Sequence, residues 1–240
     1  MSTSSMGRTA VLVPAAGRGE RLGPGAPKAL RPLGGIPMLV HAVRALAASR
    51  IVDLVVVAAP EDSAESVASM LAEQSFLAEV VVVTGGDTRQ DSVARALLTL
   101  PDDVDVVLVH DAARPLVPVE VVTAVVAAVR SGHPAVVPGL PVVDTIKRVD
   151  DAGDVECTVD RAPLRAIQTP QGFDRQVLQR AHATADLDAA AATDDAGLVE
   201  RLGLPVHVVP GHEEAFKVTT PFDVVIAEAV LARRRAAGAV

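Results

Sequence analysis

Thr9-Ala10-Val11-Leu12-Val13-Pro14-Ala15-Ala16-Gly17-Arg18-Gly19-Glu20-Arg21-Leu22, followed by Pro27-Lys28, is a short apolar run that breaks into a glycine-bearing loop with two cations behind it. The apolar run reads as a strand. In open α/β sheets ligands bind beyond the carboxyl ends of strands, and glycine there lets backbone N–H groups approach phosphate oxygens with no Cβ in the way. Arg21 and Lys28 add side-chain charge. The spacing is neither GxGxxG nor GxxxxGK[ST], so a Rossmann dinucleotide site and an ordinary P-loop ATPase both lose support. As a bare pattern, a glycine-rich turn after a strand is only a tight turn; the arginine and lysine tilt the reading toward phosphate.

Outward from this stretch, apolar β-branched runs recur at Ile51–Ala59, Val80–Thr84, Val104–His110 and Ala135–Pro138. Between them, Met38–Ser49, Glu61–Gln74, Arg89–Leu100 and Pro118–Ser131 carry apolar residues at three- and four-residue spacing, which is the helical period. The alternation predicts an α/β fold: a Rossmann-like, mostly parallel sheet with helices on both faces. The pattern breaks over about residues 141–161, where Thr145–Val149 and Val155–Val159 flank an Asp150–Asp154 turn. That reads as a protruding β-hairpin arm. An isolated hairpin is only marginally stable, so the arm is expected to pack on a second copy, giving a homodimer. Parallel folding is expected to resume with Arg165–Thr169, then helices near Asp174–Ala185 and Asp194–Leu202 around an alanine stretch 189–192, strand Val206–Pro210 and a closing helix Pro221–Arg235.

Half of the 240 residues are apolar, enough for one core, so a single domain over residues 1–240 is expected. The net charge of −8 argues against a general nucleic-acid or anionic-membrane surface. With no Trp or Tyr and four Phe, a base-stacking platform is also disfavoured. No apolar run is long enough to cross a membrane and no hydrophobic segment precedes the first strand, so the chain reads as cytoplasmic. The lone Cys157 offers neither an internal disulfide nor a zinc site and reads as inert.

Two further segments sit at strand ends. Gly85-Gly86-Asp87-Thr88-Arg89-Gln90-Asp91-Ser92 opens a helix, and alone it reads as a turn with Asp87 as N-cap. His110-Asp111-Ala112-Ala113-Arg114-Pro115 could hold a mere salt bridge between Asp111 and Arg114, with His110 structural. Lys217, in what reads as an alternating strand end Phe216–Thr219, would by itself be a solvated charge.

Taken together, AAGRGERL…PKAL, TGGDTRQDSV, HDAARP, TVDRAPL, TPQGF, TDDA and KVTTPFD resemble, in order, the motifs of the 2-C-methyl-D-erythritol 4-phosphate cytidylyltransferases, from about Val11 to Ala227. Ala29 stands where that family often has Gln. The resemblance implies that Ala15, Ala16, Gly17 and Gly19 hold the CTP triphosphate with Arg21 and Lys28, and that Gly86, Asp87 and Ser92 read the cytosine. It further implies that Arg21, Lys28 and Lys217 form the catalytic cage and that Asp111 lies near a Mg²⁺ cofactor. Asp111, Arg114, Thr145, Arg161, Thr169, Thr193 and Asp194 are implied as acceptor-binding, with Thr145 and Arg161 reaching the neighbouring subunit's site. A phosphate monoester is largely dianionic near neutrality, so no general base is needed. The expected reaction is attack of the acceptor phosphate on the α-phosphorus of CTP, with loss of pyrophosphate. Ribitol 5-phosphate as acceptor, an NAD(P)-dependent oxidoreductase, and a non-catalytic nucleotide-binding module are the competing readings.

Overall fold

The computed structural model describes residues 7–16, 27–185 and 193–238. Gly17, Arg18, Gly19 and Arg21, and the alanine stretch 189–192, lie outside the described residues. In chain order the elements are β1 (Arg8–Pro14), β2 (Pro32–Leu33), β3 (Ile36–Pro37), α1 (Met38–Ala47), β4 (Leu54–Ala59), α2 (Ala64–Ala72), β5 (Glu79–Thr84), α3 (Arg89–Leu98), β6 (Val104–Val109), α4 (Val119–Arg130) and β7 (Ala135–Pro141). They continue with β8 (Ile146–Val149), β9 (Val155–Val159), β10 (Arg165–Ile167), β11 (Gln171–Asp174), α5 (Arg175–Ala183), α6 (Asp195–Arg201), β12 (Val206–Pro210) and α7 (Pro221–Ala236).

The main sheet runs in the order β10-β7-β11-β6-β1-β4-β5, with β12 along the other edge of β7. Strands β6, β1, β4 and β5 are mutually parallel, as is the β7–β12 pair. β4 is buried at every position, as a strand covered on both faces must be. Val11, Val55, Val57 and Leu108 pack under α1, α2 and α4. Leu12, Val56 and Val107 pack on the opposite face with α3, α5 and α6. Each face therefore has its own apolar layer, and the mostly parallel α/β sheet with helices on both faces is as the sequence predicts. A third cluster, Leu33, Met38, Leu116, Val218, Ala227 and Leu231, seats α7.

One expectation fails. Parallel folding does not resume at Arg165: β10 is antiparallel to β7, and β11 is antiparallel to both β6 and β7. The segment between β7 and β10 holds the arm and no helix, so the chain returns along β7 from the end where it left. A parallel return needs a crossover. β11 itself, Gln171–Asp174, is not predicted: the sequence reading places no strand between Arg165–Thr169 and the helix near Asp174. It fits between β6 and β7 only because Gly172 has no side chain: a Cβ there would meet Val125 Cγ1 at 2.4 Å. Overpacking of this kind costs about 1–3 kcal/mol, so Gly172→Ala should lower the unfolding free energy by that amount, read in urea as a lower midpoint at an unchanged m-value.

The arm is present as a separate two-stranded sheet, β8 with β9, in the register Ile146↔Val159. Its turn is closed by Asp150, whose Oδ1 accepts from the N–H groups of Ala152 and Asp154. Val143, Val149 and Val155 on and beside the arm are exposed.

Candidate active site

In the strand order, the chain runs outward through β1, β4 and β5 and then returns to lay β6 on the far side of β1. This reversal leaves a crevice beyond the carboxyl ends of β1 and β6, the expected ligand position in such sheets. A pocket of about 250 Å³ lies there. Its walls are Pro14, Ala15 and Ala16 after β1, Lys28 and Ala29, the segment Gly86–Arg89 with Ser92, Asp111–Ala113 after β6, and Lys217. Eight predicted site residues thus meet in one cavity: Ala15, Ala16, Lys28, Gly86, Asp87, Ser92, Asp111 and Lys217. Backbone pairs align the rims, with Ala15 N–H donating to Ala58 O at 2.8 Å and Gly85 N–H to Ala59 O at 2.7 Å.

The loop after β5 is built by close approach. A Cβ on Gly86 would lie 2.3 Å from Asp91 Cβ, so only glycine lets the loop fold against the start of α3. Asp87 is not the N-cap. Thr88 takes that role in a reciprocal box, its Oγ1 accepting from Asp91 N–H at 3.0 Å while Asp91 accepts from Thr88 N–H at 3.2 Å. The Thr88-x-x-Asp91 spacing suits this exchange, and Asp87 is left exposed at the pocket rim. The Ser92 hydroxyl is fully buried and committed to the loop: it accepts from Gly86 N–H at 3.0 Å and donates to Thr88 O at 2.9 Å. Arg95 donates to Gly85 O at 2.6 Å, fastening the turn.

Asp111 is the electrostatic centre. Lys217 Nζ lies 2.8 Å from its Oδ2, Arg89 Nε 3.3 Å from its Oδ1, and Arg114 Nε 3.7 Å from its Oδ2. Burial alone would raise this carboxyl, but the charges of Arg89, Lys217 and Arg114 outweigh it and hold Asp111 well below the usual carboxylate range. Lys217 is not on a strand. Residues 216–219 are irregular, because this segment pairs with the β6 loop rather than a strand: Val218 N–H donates to Ala113 O at 2.8 Å and Arg114 Nη1 to Ala215 O at 2.8 Å.

Behind Asp111 runs a fixed chain of hydrogen bonds. Asp111 N–H donates to Thr169 Oγ1 at 3.1 Å, the Thr169 hydroxyl donates to His110 Nδ1 at 3.0 Å, and His110 Nε2–H donates to Arg114 O at 3.1 Å. This pattern assigns a neutral His110 protonated on Nε2, and burial pushes its pKa down to about 4. His110 is structural, as the sequence suggests. Because an unfolded histidine titrates near 6.5, the unfolded chain binds more protons than the native one between pH 6.5 and 4. Stability therefore falls as pH drops through that window, by up to about 1.4 kcal/mol per unit and about 3 kcal/mol in all from this group. His41 is lowered too, mainly by burial, and acts in the same direction; the depressed carboxylates Asp111 and Asp195 lose their contribution only at lower pH. Chemical denaturation at pH 7 and pH 4.5 should show a smaller stability difference for His110→Asn than for the unmodified chain.

The other predicted residues among those described stand outside the cavity wall. Thr169 and Arg114 support it from behind. Thr193 is exposed, and Asp194 is the N-cap of α6, accepting from Gly197 N–H at 3.0 Å and from Gln171 Nε2 at 2.6 Å. Thr145 and Arg161 flank the arm and are exposed, with Arg161 Nη1 donating to Val143 O. Two residues were missed. Arg89 lines the pocket, and the buried Asp195 accepts from its Nη1 at 2.6 Å. Both lie inside motifs already singled out, TGGDTRQDSV and TDDA, but nothing in their spacing pairs them.

Fold and pocket fit a nucleotidyltransferase of the open α/β class, with two lysines lining one cavity at the sheet's reversal point. Residues 9–233 match the family described as IspD, 2-C-methyl-D-erythritol 4-phosphate cytidylyltransferase, and the chain belongs to that family of cytidylyltransferases. The curated relative from Streptomyces coelicolor carrying that name is 62% identical, the match covering 96% of this chain and 87% of the relative. The one from Streptomyces avermitilis is 61% identical over 95% of this chain and 93% of its own. Among solved structures, the 2-C-methyl-D-erythritol 4-phosphate cytidylyltransferase of Thermus thermophilus superposes with a TM-score of 0.75 at 41% identity, covering 94% of this chain and 99% of that one. The 4-diphosphocytidyl-2C-methyl-D-erythritol synthase of Anaerococcus prevotii gives a TM-score of 0.82 at 27% identity, covering 95% and 99%.

Proposed function

We propose that this chain transfers CMP from CTP to 2-C-methyl-D-erythritol 4-phosphate in the non-mevalonate route to isoprenoid precursors. The observation that carries the reading is the convergence of Lys28 and Lys217 on one pocket that the loops after β1, β5 and β6 also line. An oxygen of the acceptor's dianionic phosphate attacks the α-phosphorus in line, the bond from that phosphorus to the bridging oxygen of the β-phosphate breaks, and pyrophosphate leaves with the electron pair. Lys28 and Lys217, with Arg21, offset charge on the α-phosphate as it passes through the transition state; fixed cations suit that task because they need no reorganisation. The family motif assigns Ala16, Gly17 and Gly19 to the triphosphate through their backbone N–H groups; the Ala15 N–H is taken by Ala58 O at 2.8 Å, so Ala15 serves as part of the wall. Gly86 and Asp87 present the groups that distinguish an amino donor from a carbonyl on the base, with Ser92 holding that loop in shape.

Magnesium fits this pocket as an ion carried by the nucleotide. Among the described residues no cluster of three or more His, Cys, Asp or Glu forms a cage, and magnesium commonly takes one carboxylate, phosphate oxygens and waters. Asp111 is held by Lys217 at 2.8 Å and Arg89 at 3.3 Å, so the ion would sit near it and be held by phosphate oxygens and waters, adding charge neutralisation on the phosphates. Arg114, Thr169, Thr193 and Asp194 belong to the acceptor side in this reading.

A homodimer with shared sites is the natural use of the arm, whose valines are exposed in the single chain. Mixing an Arg161→Ala variant with an Asp111→Ala variant should restore activity that neither has alone; no recovery at any ratio would exclude sharing. The reaction itself is tested by following pyrophosphate release from CTP with methylerythritol phosphate or ribitol 5-phosphate as acceptor. Faster turnover of the ribitol compound would move the chain to that activity. No helix among the described residues is long and apolar enough to cross a membrane.

A further inference from the structure

Arg89, in the pocket wall, joins two carboxylates. It lies 3.3 Å from Asp111 Oδ1 through Nε and 2.6 Å from Asp195 Oδ2 through Nη1. Asp195 is 1% exposed and is not part of the pocket wall. Its other oxygen, Oδ1, accepts from His182 Nε2 at 3.0 Å. The turn that carries it is fixed as well: Ala196 N–H donates to Gln171 Oε1 at 3.2 Å, and Gln171 Nε2 donates to Asp194 at 2.6 Å. Asp195 is thus an anchored anion joined to the pocket wall through the Arg89 guanidinium.

The competing claim on Asp111 comes from Lys217, 2.8 Å away and 40% exposed. Held there, the lysine has much of its charge offset by the carboxylate and offers less of it to the α-phosphate. If it turns away, a carboxylate only 12% exposed must keep another partner, since an unpaired buried charge is strongly unfavourable. Arg114 Nε lies at 3.7 Å and is a buried nitrogen with no hydrogen-bond partner, which is too loose to replace it. Arg89 is the cation placed to do so, provided it is prevented from moving to the incoming triphosphate itself.

We infer that Asp195 is a positioning residue: it pins Arg89 to Asp111, so that Asp111 remains compensated while Lys217 turns to the nucleotide. The inference rests on the nucleotide site proposed above. It separates two quantities that ordinarily move together. Losing the anion frees Arg89 to contact phosphate and removes a negative charge close to the pocket, so CTP should bind more tightly, while Lys217 is retained by Asp111 and turnover falls.

The test uses the full-length protein. Asp195→Asn should lower kcat about tenfold or more while calorimetric titration with CTP, magnesium present, shows severalfold tighter binding; Arg89→Gln should lower kcat and weaken CTP. In the Arg89→Gln background, Asp195→Asn should cause no further loss of kcat, because both act through one guanidinium. Loss of packing alone would leave CTP affinity of the folded fraction unchanged or weaker. If the Asn variant does not fold, Asp195→Glu keeps the charge and changes only its reach, and should lower kcat at unchanged CTP affinity. Unaltered kcat in the folded Asp195 variant, weakened CTP binding in Asp195→Asn, or independent multiplication of the two kcat losses would overturn the inference. Absence of turnover in the unmodified chain would instead count against the proposed acceptor, and the calorimetric comparison would still decide the role of Asp195.

Discussion

Alanine at Lys28 or at Lys217 should lower kcat by about 10²–10³-fold, the usual loss when one preorganised donor to transition-state charge is removed. The two side chains reach the same cavity from segments far apart in sequence, Lys28 from the turn after the first loop and Lys217 from the segment tied to the β6 loop. Neither replacement should unfold the chain. Lys217 is 40% exposed, and Asp111 keeps Arg89 at 3.3 Å and Arg114 at 3.7 Å when the lysine is gone. Single-turnover rates of CMP transfer, measured beside denaturation midpoints, separate the two effects. Turnover within threefold of the unmodified enzyme for either variant would remove that lysine from the mechanism. The loss should also fall mainly on kcat, because charge that builds up only during displacement is not present in the bound substrate.

Phe173→Ala should cost about 3–5 kcal/mol, the range for emptying a buried aromatic site. Phe173 is fully buried on β11, opposite Val107 of β6 and Ala135 of β7, and lies in the apolar layer that includes Leu178 of α5. Against a typical total stability of about 5–15 kcal/mol this is a large fraction. Urea denaturation would measure it, and a loss below about 1 kcal/mol would mean that the site collapses or fills with neighbouring side chains. The effect should reach activity as well, because Gln171 on the same strand fastens the turn that carries Asp194 and Asp195.

Much of the fold was legible because long apolar runs and helical spacing report local burial directly. The strands β1, β4, β5, β6, β7 and β12 all lie where β-branched runs stand, and the arm follows from alternation around an aspartate-rich turn. What local pattern cannot carry is pairing. β11 has four residues and a glycine at its centre; it is a strand because β6 and β7 leave a gap that Gly172 alone fits against Val125. The antiparallel return of β10 likewise depends on the absence of a crossover after β7, not on the composition of Arg165–Ile167.

The same division runs through the site. The sequence by itself determined the class of chemistry through the joint family resemblance of its motifs: a glycine-bearing loop after the first strand, a second loop opening α3, an acidic strand end and two separated lysines, each of which alone reads as structural or solvated. Only the tertiary structure decided which charges meet. Arg89 reaches Asp111 across 22 residues and Asp195 across 106, and Thr169 reaches His110 across 59. Coulomb energy depends on distance in space and on burial, and neither is encoded in the interval between residues along the chain, so the anchored arginine became visible only once the sheet had brought three loop ends together.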